Sequence, residues 1–493
     1  MFPSPHSGRV RAAIGPLFLA IALAGCASTG GLEPAARPRD LDSHATSRSL
    51  AGTPLSEAAF PALDWWRAFG DPQLDTLVSE ALAGSPSLAA ADARLRKARA
   101  QAGLADAARK PSVGGSAQYA VAQLPEGLVG DELGGKLLHN ALLTLSFDWP
   151  LDVWGGKRAE YEAALGQARA SQVEAQAARL TLAANVARSY IALAQAFEAK
   201  DVALREQERS ERLLRLGRQR VEAGIDGTLA LRNAETAIAT AKAQAEAAQQ
   251  QIDALRNTIA ALLGQGPDRG LDIARPQLLQ APAPSLPGVL PSELLGHRPD
   301  VVAARWRVEA AAQGISSAKA QFRPSVDLSG LVGLAATGFS DLFASDAALG
   351  FGGPAISLPI FDGGRLRSNL DARDADYDLA VASYNQSVVD ALHEVTDAVQ
   401  SIRSLDAQER SLAEAHEAAS AALQLAQARY EAGVGTQLDV LSAQRPLLQI
   451  EQQQAALRAQ RYQATVQLDR ALGGGLDLDA PASASATAPE SNS

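Results

Sequence analysis

Two stretches of the chain alternate between apolar and polar positions, which is the pattern of a β-strand with two different faces. In residues 141–149 the odd positions are apolar and end in aromatic residues, while the even positions after Leu142 are polar. In residues 326–334 the even positions are apolar or glycine, and Asp327 and Ser329 stand between them. This alternation predicts strands with lipid on one side and water on the other.

Each of these strands has a weaker neighbour, so the sequence predicts two β-hairpins, at about residues 112–150 and 325–361. The second return strand changes parity between Phe351 and Ile356, and a β-bulge near residues 352–354 would reconcile its two ends. Four strands cannot close a membrane barrel, because the smallest barrels have about eight. The strands can therefore span a membrane only if several copies assemble; two soluble hairpins on a domain core are the alternative.

Outside the hairpins the chain consists mostly of helix-forming residues. Residues 157–216 contain no proline, and residues 365–431 contain neither proline nor glycine, so each segment can form a helix of about 90 to 100 Å. Each is followed by a glycine turn and by a predicted returning helix, at 230–263 or 438–472. The predicted fold class is therefore mainly α, with long antiparallel helical hairpins and a small β portion.

The two halves of the chain form an internal tandem repeat. Pro86 recurs as Pro299 with its neighbours at an offset of 213 residues, and Gly224 recurs as Gly433 at an offset of 209. Such repetition indicates two similar structural units. The predicted organisation is a signal peptide at 1–25, an acylated tether at 26–60, repeat 1 at 61–266 with a helical hairpin at 157–263, a proline-rich equatorial connector at 267–291, repeat 2 at 292–473 with a helical hairpin at 364–472, and a disordered tail at 474–493.

The first residues have the features of a secretory signal. Arg9 and Arg11 precede an apolar segment that ends in a small-residue cleavage site before Cys26, the only cysteine. This end resembles a bacterial lipobox, which implies that Cys26 carries fatty acids such as palmitate. By the same resemblance, Ala27 favours the outer membrane. An ordinary signal peptide with a chance cysteine is the alternative.

Composition and motifs exclude several classes of protein. The net charge of −10 offers no basic surface for nucleic acid. No stretch after residue 26 has the roughly 18 apolar residues of a membrane-spanning helix, so a membrane crossing would require strands closed into a barrel. Residues 130–136 have P-loop spacing, but Leu137 replaces the required Ser or Thr. No cofactor, metal site or catalytic constellation is expected.

Three motifs together resemble those of a known family. They are Trp-Trp-Arg-Ala-Phe-Gly-Asp-Pro-Gln-Leu at 65–74, Arg-Pro-Asp at 298–300 and Pro-Ile-Phe-Asp-Gly-Gly at 359–364. Their order and spacing are similar to those of TolC-like outer membrane factors, in particular the NodT-type lipoproteins of tripartite efflux systems. The resemblance implies a homotrimer in which four strands per chain form a 12-stranded barrel above a periplasmic α-barrel. It also implies a passive exit duct that works with a periplasmic adaptor (membrane fusion) protein and an inner-membrane RND-type transporter.

The resemblance also assigns roles to the two glycine turns, which would form the periplasmic tip where the adaptor docks. The predicted docking residues are Gly224, Ile225, Gly227 and Thr228 in the first turn, and Gly433, Val434, Gly435 and Thr436 in the second. Gly224 and Gly433 suit the left-handed end of a helix. Thr228 and Thr436 suit the N-cap of the returning helix.

A periplasmic gate is predicted from Asp439, which matches an aspartate at the closed aperture of family members. Three copies would form a cation-attracting ring, with Arg429 and Tyr430 as further gate residues. Ala230 stands at the equivalent position of the first repeat. The alternative is that Asp439 is a solvated residue whose charge suits the helix dipole.

Two other functions remain open at this stage. A trimeric coiled-coil lipoprotein could act as a spacer between the outer membrane and the cell wall, although it would not need two amphipathic hairpins. The same duct could also export proteins in type I secretion. The lipobox favours efflux of drugs or other toxic small molecules.

Overall fold

The fold is described from a computed structural model. The described residues are 29, 31–39, 48–50, 55–56, 60–123, 125, 127, 135, 137–225, 227–278, 286–287 and 294–475. Their main elements are α1 (Pro72–Gly84), α2 (Pro86–Ala107), β1 (Ser112–Gln123), β2 (Leu137–Leu151), α3 (Gly156–Glu222), α4 (Thr228–Leu262), α5 (Pro299–Ala320), β3 (Ser325–Ala336), β4 (Ala348–Ser357), α6 (Arg365–Glu431) and α7 (Gln437–Ala471). The prediction of a mainly α fold with four strands is confirmed.

The chain divides into two compact units. The first contains the described residues within 1–38, 95–171 and 304–384; the second contains those within 39–94, 172–303 and 385–493. The two long helices, α3 and α6, contribute residues to both units. Within the described part of the chain, none of the helices combines the length and the hydropathy of a transmembrane span.

The first unit contains one antiparallel sheet in the order β1-β2-β3-β4. Both predicted hairpins are present, and β2 joins them by pairing with β3 from Ala141↔Ala336 to Leu151↔Val326. The expected bulge in β4 is wrong, because the β3–β4 register runs without interruption from Ser325↔Ser357 to Leu334↔Ala348. Glycine at 352 serves close strand approach instead: a Cβ there would lie 3.1 Å from the Gly330 Cα.

The helical hairpins also agree with the sequence. The helices α3 and α6 have 67 residues each, and α4 and α7 have 35 each. Both returning helices begin earlier than expected, at Thr228 and Gln437. Thr228 is therefore not the N-cap of α4; that position belongs to Gly227, whereas Thr436 does cap α7.

The second unit is built around an apolar core that includes Trp65, Trp66 and Phe69 from the aromatic motif. Asp71, which belongs to the same motif at 65–74, caps α1 and is buried. Its Oδ2 accepts hydrogen bonds from the Tyr190 hydroxyl at 2.7 Å and from the Gln277 backbone N–H at 2.7 Å. Burial raises the pKa of Tyr190, so the phenol remains a donor to this carboxylate. The network attaches the connector after α4 to the core.

The Arg-Pro-Asp motif stabilises the start of the second repeat. The buried Arg298 guanidinium donates to Asp300, to Glu394 at 2.9 Å and to the Ala471 carbonyl at 3.0 Å. It thereby binds one of the carbonyls left open at the end of α7. Ser85 and Ser87, 213 residues earlier, form only a hydroxyl pair at 2.9 Å.

Several domain assignments fall on parts of the chain outside the described residues. These are the signal peptide at 1–25, Cys26, most of the tether to residue 60, the middle of the connector and the tail beyond Gly475. The described connector residues include a short helix, Asp268–Leu271, and the pair Leu286–Pro287, which lies parallel to Leu55–Ser56. The domain boundaries remain predictions.

Candidate functional site

The four-stranded sheet has one continuous apolar face. The register places the odd positions of β1 and β2 on the same face as the even positions of β3 and β4. Within 113–121, 141–151, 326–336 and 348–356, every residue on this face is apolar or glycine except Tyr119. Leu145 and Val332, which pair across β2 and β3, are 56% and 59% exposed. An exposed apolar surface of this extent indicates contact with lipid or with another protein.

The opposite face of the sheet is mostly polar or small. Ser116 and Thr144 form a hydroxyl pair at 2.8 Å across β1 and β2, and Asp327 and Ser329 lie on the same face of β3. The edge strands, β1 and β4, each have one hydrogen-bonded neighbour among the described strands. A sheet with such edges requires partner strands before it can be stable in lipid.

The first glycine turn, after α3, has the hydrogen bonds of a Schellman motif. Gly224 has φ +70°; its N–H donates to the Val221 carbonyl at 3.0 Å, and the Ile225 N–H donates to the Arg220 carbonyl at 2.8 Å. Gly227, the N-cap of α4, has no side chain to accept from the first turn of that helix. Ile225 is 63% exposed, so this turn presents an apolar side chain to its surroundings.

The second turn, after α6, ends the helix in the same way. Gly433 has φ +74°; its N–H donates to the Tyr430 carbonyl at 3.0 Å, and the Val434 N–H donates to the Arg429 carbonyl at 3.0 Å. Gly435 lies close to the helix end, because a Cβ there would be 3.1 Å from the Arg429 carbonyl carbon. Val434 is 69% exposed, as Ile225 is in the first turn.

Asp439 is engaged in a capping box at the start of α7. Its Oδ2 accepts hydrogen bonds from the Thr436 N–H and hydroxyl, both at 2.8 Å, while its N–H donates to the Thr436 Oγ1 at 3.2 Å. The Thr436 N–H, then its hydroxyl, and to a smaller extent the Arg429 charge hold the pKa of Asp439 below its usual value. The carboxylate is exposed and charged at neutral pH.

The other predicted gate residues, Arg429 and Tyr430, form the last turn of α6. Arg429 acts on Asp439 through its charge, and Tyr430 is 47% exposed. The structure therefore brings Arg429 and Asp439 into electrostatic range within one turn. Their contacts are those of a helix cap, and the assignment of a gate to these residues stays a prediction.

The structure contains a cavity above the turns that the sequence did not predict. It has a volume of about 1080 Å³ and lies between α3, α4 and α7. The buried Arg209 of α3 lines it, binds Glu206 through Nε at 2.7 Å and donates from Nη1 to the Leu441 carbonyl of α7 at 3.1 Å. Pro446 lies further along α7 and has no N–H, so the Ser442 carbonyl lacks its helical donor. The proline within a helical pattern was the feature of the sequence that could have indicated this irregularity in α7.

The N-terminal tether docks on α6 in the first unit, which the sequence also did not predict. Asp378 accepts hydrogen bonds from two successive tether amides, those of Ala35 at 3.3 Å and Ala36 at 2.8 Å. Farther along, Asn385 accepts from the Arg39 N–H at 2.9 Å in the second unit. Each of these two side chains therefore binds the tether through its backbone amides.

Comparisons with known proteins agree with this architecture. The sequence matches the family described as outer membrane efflux protein over residues 77–265 and 290–474. It is 38% identical to the fusaric acid resistance protein FusA of Burkholderia cepacia over 371 residues, 74% of this chain and 69% of FusA. It is 30% identical to the multidrug resistance outer membrane protein MdtP of Escherichia coli (strain K12) over 430 residues, 85% of this chain and 88% of MdtP.

A solved structure gives the same result at the level of the fold. The outer membrane protein VceC of Vibrio cholerae superposes with a TM-score of 0.78 at 36% identity, covering 85% of this chain and 100% of VceC. The chain belongs to the outer membrane efflux protein family of TolC-like factors. The predicted family, fold class and outer-membrane location are therefore confirmed.

Proposed function

We propose that this chain forms the passive exit duct of a tripartite efflux pump and conducts small molecules from the periplasm to the exterior. Three copies assemble, their twelve strands close one barrel, and their helices form the tunnel that continues from it. The observation that carries this proposal is the sheet of β1–β4, which combines an apolar face with two edge strands that need partners. Closure among copies satisfies both edges in lipid.

The names of the two relatives indicate a class of cargo. FusA and MdtP are named for resistance to fusaric acid and to multiple drugs. By analogy, the duct of this chain carries toxic small molecules. A duct without an energy source depends on an inner-membrane RND-type transporter and on a periplasmic adaptor that meets the two turns. The duct needs no catalytic step of its own.

The docked tether supports a lipid anchor at Cys26. Ala35 is bound to Asp378, and the chain from Ala35 back to Cys26 can extend at most about 30 Å. The start of α6 at Arg365, where β4 meets the helices, is about 20 Å from Asp378 along the helix. Cys26 can therefore reach the end of the sheet, where its acyl chains would enter the same membrane as the strands.

We also propose a gate at the second turn. Three copies of Asp439 around the trimer axis would form a ring of carboxylates that attracts cations and narrows the aperture. Replacement of Asp439 by Ala is expected to widen or destabilise the closed tip. Single-channel conductance and cation selectivity measure this, and identical traces for wild type and variant would count against the gate.

Neighbouring residues of β2 provide a matched test of the duct itself. Leu145 lies on the apolar face and Ser146 on the polar face. Leu145→Arg should abolish trimer insertion and conductance in planar bilayers, because an arginine at the middle of the lipid face costs about 2 to 4 kcal/mol in each copy. Ser146→Arg introduces the same charge toward water and should leave insertion intact.

Equal tolerance of both variants would overturn the assignment of the faces. Absence of any conductance from the inserted wild-type trimer would favour the structural spacer. Resistance in a host that lacks its own exit ducts distinguishes the two cargo classes. Restored drug resistance supports small-molecule efflux, whereas restored export of a secreted protein without resistance supports type I secretion.

A further inference from the structure

A buried carboxylate lies beneath the N-terminal tether without a hydrogen-bond partner. Asp374 of α6 is 5% exposed, and neither of its carboxylate oxygens has a partner among the described residues. An unsatisfied buried carboxylate is costly when it is charged and much less so when it carries a proton. Its place in the structure therefore needs an explanation.

Asp374 occupies an apolar stripe of the first unit. Leu370 and Tyr377 lie one turn before and after it on the same face of α6, which packs against Ile315 and Phe322. Leu32 of the tether packs on this cluster. In α3, which has the same length, the position 209 residues earlier is Leu165. An acid thus stands where the first repeat has an ordinary apolar residue.

The charged groups around Asp374 come from all three elements that pack there. Asp371 and Asp378 belong to α6, Glu33 to the tether and Lys319 to α5. Burial and the three acids raise the pKa of Asp374, and Lys319 opposes them. No group of three or more potential metal ligands is found in the described part of the chain. Two of the acids take part in docking. Glu33 lies in the tether, and Asp378 binds the tether amides.

We propose that Asp374 is a proton-binding latch beneath the tether. Segment 31–36 docks over the protonated carboxyl, and ionisation of Asp374 weakens this docking. The consequence is a link between pH and the attachment of the acylated N-terminus to α6. When the tether is released, Asp374 becomes accessible to water and its pKa returns toward about 4. When the tether is docked, the neutral form is preferred.

The sign of the pH dependence follows from this difference. Below about pH 4 Asp374 is protonated in both states, so it contributes no further pH dependence to docking. Between this value and the raised pKa of the docked state, release of the tether also releases a proton. Docking then weakens by at most about tenfold per pH unit, and the contribution of Asp374 becomes constant again above the raised pKa.

Hydrogen exchange of the assembled full-length mature protein in detergent tests the latch. Protection of the Ala35 and Ala36 amides, corrected for the intrinsic exchange rate at each pH, should fall with rising pH through this window in the wild type, by at most about tenfold per unit. Asp374→Asn keeps the shape but cannot ionise, so its protection should be independent of pH. Asp374→Leu, the residue of the first repeat, should give strong, constant protection.

Asp371→Asn is the control, since it removes a neighbouring charge but keeps the latch; its protection should still depend on pH. The proposal is overturned if wild type and Asp374→Asn show the same pH profile. It is also overturned if protection follows the concentration of salt at constant pH, which would indicate a bound cation instead of a proton. Trimer formation and helix content, measured in parallel, ensure that loss of protection reports on the tether and not on unfolding.

Discussion

The two turns at the ends of the long helices share one solution for stopping a helix and differ in how they start the next. Both use a glycine with positive φ and the same pair of backbone hydrogen bonds. The second turn adds a capping box between Thr436 and Asp439, whereas Gly227 and Ala230 stand at the equivalent positions of the first. Both repeats thus end the long helix in the same way. Of the two turns, the second also caps the returning helix with side chains.

The returning helices differ again beyond the turns. The helix α7 contains Pro446, and Arg209 of α3 binds the Leu441 carbonyl nearby. The position equivalent to Pro446 in α4 is Ala237. The returning helix of the second hairpin therefore has an interrupted helical ladder, whereas α4 has no proline, and the Arg209 hydrogen bond joins the two hairpins.

The strongest test of this difference transfers the proline. Ala237→Pro should destabilise α4 by about 3 kcal/mol, because the ring removes a hydrogen bond and clashes with the preceding turn. Pro446→Ala should have the opposite sign, with increased amide protection around Ser442. Thermal unfolding and hydrogen exchange measure both changes. Equal losses in the two variants would show that Pro446 has a stabilising role of its own.

A smaller effect is expected at the turn glycines. Gly435→Ala should cost about 1 to 3 kcal/mol, because its Cβ would lie 3.0 to 3.1 Å from atoms of Arg429 and Tyr430. Gly227→Ala is the control, since Gly227 has φ −88° and no atom within 4 Å of a new Cβ. The two melting temperatures should separate in that order. If Gly435→Ala leaves the melting temperature unchanged, the backbone of the second turn shifts readily to accommodate the new Cβ.

The smallest effect concerns the capping box. Thr436→Ala should cost about 1 kcal/mol, and Gly227→Ser should gain a few tenths by adding a cap to the first turn. Because the folded-state pKa of Asp439 is lowered, its capping contribution is present above the usual pKa of about 4 and is lost as pH falls through the lowered value.

The matching measurement is amide exchange in the first turn of α7 and of α4 between pH 2 and 5, corrected for intrinsic rates. Protection should decrease toward low pH in α7 but not in α4. Asp439→Asn should remove the decrease. If α4 responds equally, the pH effect does not come from the capping box.

Much of the fold could be predicted because it depends on local rules. A long segment without proline, such as residues 365–431, forms a helix, and Gly433 ends it because glycine tolerates positive φ. The parity of residues 141–149 correctly assigned the apolar face of β2. The predictions that were wrong concerned positions where two local backbone arrangements were compatible with the sequence. Gly227 caps α4 instead of Thr228, and β4 contains no bulge.

The candidate site was less accessible from sequence. The positions of the turns were evident, but the contact of Arg209 with α7 and the burial of Asp374 were not, because both depend on residues distant in the chain. The docking of the tether on Asp378 likewise depends on backbone amides, which every residue except proline offers. The side chains of the tether therefore contain no pattern that predicts this docking.

The sequence by itself determined the repeat, the lengths of the helices, the positions of the turns and the two-faced strands, because periodicity and backbone sterics act over a few residues. Only the tertiary structure decided the strand register, the contact of Arg209 with α7 and the burial of Asp374 beneath the tether. These features depend on which surfaces meet, and the free energy of burying a charge or pairing an edge is defined only once a neighbour is in place.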